Sequence, residues 1–136
     1  MILGFFGKGG SGKTTTSFRC IQSIEAISKH VLAVDADHNM DLTYNFGLRE
    51  PVSCLGSDVT AGYVFTDDTT RTLSSYDEVN QRYLHSVSER ISLLIAGPHT
   101  EPIFQGELCS HGLLKPINSY LSQINLQEGE HIIVDA

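Results

Sequence analysis

The run Gly7-Lys8-Gly9-Gly10-Ser11-Gly12-Lys13-Thr14 constrains this chain more than any other feature, because it stands between a short apolar segment, Ile2 to Phe6, and a stretch of helical periodicity. It satisfies G-x-x-x-x-G-K-[ST] in the strand–loop–helix setting that gives the spacing its purpose. Glycines let successive backbone N–H groups turn inward around an anion, and the following helix directs its unpaired N–H groups and positive dipole end at the same point. Lys13 adds a mobile positive charge. The Thr14 hydroxyl suits a magnesium ion bridging the outer phosphates, and Thr15 can donate a further hydrogen bond to phosphate. Gly9, Gly10, Ser11, Gly12, Lys13, Thr14 and Thr15 are thus the expected phosphate-binding residues. The competing reading is a glycine-rich turn that matches by accident.

The pattern around this loop predicts the rest of the architecture. Ile2 to Phe6 reads as a parallel strand buried on both faces. Phe18, Ile21, Ile24 and Ile27 recur every third residue, with Cys20 and Ala26 beside them, which predicts a helix over 14–28. Val31 to Asp35 is a second buried run that ends in an acid. Residues 51–70 mix Gly, Ser, Thr and Asp without a period and read as loops with room for a short helix. Ser75 and Glu78 have capping-box spacing, and Tyr76, Val79, Tyr83 and Val87 predict a second helix. Ile91 to Ala96 predicts a strand. Leu113, Ile117, Tyr120, Leu121 and Ile124 predict a third helix, with Pro116 tolerable in its first turn, and Ile132 to Asp135 a last strand. Alternating strands and helices predict an α/β fold, a mainly parallel sheet flanked by helices, formed by residues 1–136 as one domain.

Composition narrows the function classes. A net charge of -7, from nine Lys+Arg against sixteen Asp+Glu, gives no general attraction to nucleic acid or anionic lipid. Cys20, Cys54 and Cys109 are too few and too scattered for a disulfide framework, which fits a reduced, cytoplasmic setting. No apolar run approaches the roughly 18 residues of a membrane span.

Lys8 to Thr15 resembles the deviant Walker A loop, marked by a lysine directly after the first glycine. The class holds P-loop ATPases: the nitrogenase iron protein, the chromosome-partition and septum-positioning ATPases, and the nickel-insertion accessory ATPase of carbon monoxide dehydrogenase. The resemblance implies ATP and ADP as ligands with Mg2+, and an ATP-dependent homodimer in which Lys8 reaches the partner subunit's phosphates. It covers this chain as about the N-terminal half of the family's usual domain. Asp35-Ala36-Asp37-His38-Asn39 is similar to the family's switch I segment, with His38 where proline is usual. That match implies that Asp37 positions the attacking water and approaches magnesium indirectly. Capping of the turn at Asp41-Leu42 is the competing reading of these acids. Ile132-Ile133-Val134-Asp135 resembles the Walker B strand, which implies that Asp135 holds magnesium through water.

The segment Gly106-Glu107-Leu108-Cys109-Ser110-His111-Gly112 lies where the nickel-insertion ATPases carry Cys-x-Cys. One cysteine remains here, flanked by Glu107 and His111. The three together form an expected Ni2+ or Zn2+ site, against an ordinary loop thiol and histidine as the alternative. His30, His85, His99 and His131 have no convergent spacing and read as surface or packing residues. The resulting expectation is an ATPase switch that assists nickel maturation of carbon monoxide dehydrogenase. The alternatives are a partition or septum-positioning ATPase and a truncated, non-catalytic nucleotide-binding module.

Overall fold

The computed structural model describes residues 1–49, 51–55, 76–98 and 114–136. In chain order these form β1 (Ile2–Phe5), α1 (Lys13–Glu25), β2 (His30–Asp35), α2 (Asp41–Asn45), α3 (Tyr76–Tyr83), β3 (Leu84–Ser86), β4 (Ile91–Ile95), α4 (Leu114–Leu121) and β5 (Glu130–Asp135). The strands make one sheet in the order β1-β5-β2-β4-β3. Every pairing is parallel except that of β3 with β4.

Side chains of successive strand residues point to opposite faces, so the continuous apolar runs of β2, β4 and β5 feed two cores at once. Val31, Ala33, Leu93, Ile95 and Ile133 pack on one face with Ile21 of α1 and Leu42 of α2. Leu32, Val34, Leu94 and Ile132 pack on the other with Val79 and Tyr83 of α3 and Ile117 and Tyr120 of α4. The Tyr120 hydroxyl donates to Asn80 Oδ1 at 2.6 Å, which joins α4 to α3. Register aligns Phe5, Asp135 and Asp35 across β1, β5 and β2. The two acids therefore end neighbouring strands at one level, immediately below the loop that leaves β1.

Four expectations need correction. β1 is more exposed than a strand buried on both faces: Ile2 is 62% and Leu3 37% exposed, and among the described strands β1 pairs with β5 alone. The first helix ends at Glu25, which leaves Ile27 81% exposed. Arg90 Nη1 donates to the carbonyls of Glu25 and Ala26, so the terminal carbonyls find their partner on the β3–β4 hairpin. The predicted second helix stops at Tyr83, and Leu84–Ser86 turn antiparallel to β4. Val87, which continued the helical period, instead donates its N–H to Ile91 O in the hairpin. Finally, α2 forms at Asp41–Asn45, where no helix was predicted, and Asp35 Oδ2 accepts the Thr43 N–H in its first turn, in keeping with the competing reading of these acids as caps. The third helix spans Leu114–Leu121 with Pro116 in its first turn, as anticipated. Most of the 51–70 segment and Ser75 lie outside the described residues. Among the described residues, no helix is long and apolar enough to cross a membrane.

Candidate functional site

The loop between β1 and α1 takes a shape that its glycines permit. Gly10 and Gly12 have φ of 78° and 85°, in the left-handed region that costs an L side chain about 1–2 kcal/mol. Gly12 occupies the N-cap of α1; no side chain caps that end and no acid stands in its first turn. The hydroxyls of Thr16 and Ser17 turn back to Gly12 O and Thr14 O, at 2.9 and 3.0 Å, and leave the helix start to a ligand. Ser11 N–H donates to Lys8 O at 3.2 Å and closes the loop's tip.

Above the loop lies a cleft of about 310 Å³, lined by Gly9, Gly10, Ser11, Gly12, Lys13, Thr14 and Thr15 on one side and by Asp37, Asn39 and Asp41 on the other. The expected phosphate-binding residues and Asp37 are thus brought together. Lys8 is exposed and is not among the residues lining the cleft. Asp135 also stays out of the lining, since it is fully buried beneath it. Asn39 and Asp41 were missed as lining residues; the available signal was their spacing from Asp37, which places all three along one turn entering α2.

That turn is tightly built. Asp37 Oδ1 accepts the Asn39 N–H at 3.0 Å and lies 3.4 Å from His38 Nδ1. Met40 N–H donates to Asp37 O. Met40 itself has φ 57°, and its buried side chain holds that conformation. Below, Asp35 Oδ2 accepts both the N–H and the hydroxyl of Thr43, at 2.8 and 2.6 Å. Asp35, Thr43 and Asp135 are all fully buried. Burial raises the Asp35 carboxyl from 3.8 to about 6, opposed by the Thr43 bonds and reinforced by the neighbouring Asp135.

Asp35 Oδ1 and both oxygens of Asp135 are buried without a hydrogen-bond partner. Buried polar oxygens are ordinarily satisfied, so these orphaned carboxylate oxygens at the ends of β2 and β5 would suit a cation reached through water. The donors are carboxylate and hydroxyl oxygens, the set that hard Mg2+ prefers. Nothing comparable supports a softer metal. Among the described residues no group of three His, Cys, Asp or Glu side chains is placed to hold one. Cys54 is buried in the core, and Cys20 is half-buried. His30 Nε2 lies 3.0 Å from Ser92 Oγ, and His85 Nε2 lies 2.7 Å from Ser53 O, as structural side chains would. Glu107, Cys109 and His111, with His99, lie outside the described residues.

A glycine loop feeding an uncapped helix, over paired acids at the ends of parallel strands, defines a phosphate-loop nucleotide-binding α/β domain. The model of the CobQ/CobB/MinD/ParA nucleotide binding domain matches residues 3–129, and the chain belongs to that family. No curated protein matches the chain. Among solved structures, a plasmid partition protein from Borrelia burgdorferi is similar, with TM-score 0.54 and 19% sequence identity over 100% of this chain and 55% of that one. At that identity the likeness is one of fold. The chain spans little more than half the length of that protein.

Proposed function

We propose that the protein is an ATP-hydrolysing switch whose nucleotide state governs association with a second copy. The carrying observation is the cleft in which the glycine loop, Lys13 and Thr14 face Asp37. In this reading the loop N–H groups and Lys13 hold the outer phosphates and stabilise charge that develops on them during cleavage. Thr14 and, through water, Asp135 and Asp37 would hold magnesium, which would supply neutralisation of the phosphate charge. Asp37, about one-fifth exposed at the cleft wall, accepts a hydrogen bond from the attacking water and orients it in line. Lys8, exposed on the loop, supplies a positive charge to the nucleotide of the partner subunit.

The client of the switch is a separate matter. Nickel insertion rests on Glu107, Cys109 and His111 alone, and partition on the family and the fold of the similar structure. Stoichiometric nickel or zinc lost in Cys109→Ala supports the first, and a metal-free protein removes it. The switch itself is tested by solution mass with ADP and with a non-hydrolysable ATP analogue. A doubling with the analogue only, abolished by Lys8→Ala, is expected. Mass indifferent to nucleotide contradicts the switch.

A further inference from the structure

Asp37, the water-positioning acid, is about one-fifth exposed at the cleft wall and its own contacts lie within a single turn, whereas orienting a water for in-line attack demands sub-ångström placement. The rigidity must come from elsewhere. The chain leaves the sheet at Asp35, turns outward through Asp37 and returns at Thr43 on α2. The two ends of this excursion are fastened together below the cleft by the pair of bonds from Thr43 N–H and Oγ1–H to Asp35 Oδ2. Both residues are fully buried, so water does not compete for those bonds. The base of the loop is also held by the sheet, since Ala36 N–H donates to Asp135 O and Ala96 N–H to Asp35 O. With its base fixed and Met40 N–H closing on Asp37 O, Asp37 has one place to stand.

We propose that Thr43, acting through Asp35, is a positioning residue for hydrolysis: its two hydrogen bonds hold the Asp37 turn against the phosphate loop. The fastening deepens the proposed ATPase reading and rests on it. Thr43 does not line the cleft, so its loss removes no direct contact to nucleotide and acts through the Asp37 turn.

The test compares Thr43→Val, which keeps the shape and the backbone N–H but deletes the hydroxyl, with Thr43→Ser, which retains both donors. Binding of a non-hydrolysable ATP analogue with magnesium is read by calorimetry, turnover by phosphate release, and folding by thermal melts. The expected result is a kcat lower by about ten- to a hundred-fold in Thr43→Val, with KM and analogue affinity within about twofold and Thr43→Ser restoring most of the turnover. Turnover in Thr43→Val equal to that of the unsubstituted protein overturns the inference and leaves the ATPase reading intact. Equal losses in Thr43→Val and Thr43→Ser, or parallel losses of affinity and turnover, overturn it as well. An unsubstituted protein that binds no nucleotide, or binds without releasing phosphate, overturns the ATPase reading and this inference with it.

Discussion

Asp35 links folding to pH at the scale of a single residue. Its carboxyl sits at about 6 in the folded chain against 3.8 for an ordinary aspartate, so between those values the folded state keeps a proton that the unfolded state has released. Stability then falls as pH rises through about 4 to 6, and the penalty is complete above that window. Two pH units correspond to about 3 kcal/mol at most. Asp35→Asn retains an acceptor for Thr43 and removes the charge, so it is expected to flatten the pH dependence of urea midpoints over this window; an unchanged slope would sink the assignment. Gly12 provides a second case. At φ 85° an alanine is strained by about 1–2 kcal/mol, and Gly12→Ala is expected to lower the melting midpoint and weaken nucleotide binding together.

The helices owe their ends to tertiary partners as much as to their own residues. Arg90 reaches across to the last carbonyls of α1, so Arg90→Met is expected to cost about 1 kcal/mol in denaturant unfolding while nucleotide affinity stays constant; coupled loss of both would show that the far end of α1 is not independent of the loop. The same contact explains what the sequence left illegible. A period of three ran through Ile27 and a period of four through Val87, but neither residue continues its helix, because Arg90 and the β3–β4 hairpin end those segments with contacts distant in sequence. The glycine loop and the sheet's three inner strands were legible, since each depends on local spacing or on a run too apolar for a one-sided strand, whereas Asp37 was reached only through the resemblance of its segment to a switch loop. Thr43 was not legible: a buried threonine on a five-residue helix has no periodic signature, and its role exists only opposite Asp35.

The whole molecule has an uneven surface. Met1, Ile2, Leu3 and Phe6, in and beside β1, are 55%, 62%, 37% and 73% exposed among the described residues, and the ring of Phe6 lies against Gly4. The acidic balance, with a net charge of -7, makes the basic loop a local exception, suited to a polyanionic ligand held close by backbone N–H groups and two lysines.

The most direct test of the account is calorimetric titration of the protein with a non-hydrolysable ATP analogue and magnesium, beside Lys13→Ala. Saturable one-to-one binding is predicted, weakened by about ten- to a hundred-fold in Lys13→Ala, as the loss of a charge-assisted phosphate contact implies, with the melting midpoint of the unliganded protein unchanged. No binding, or binding indifferent to Lys13→Ala, would contradict the claim that the glycine loop and the acid-lined cleft form a nucleotide site.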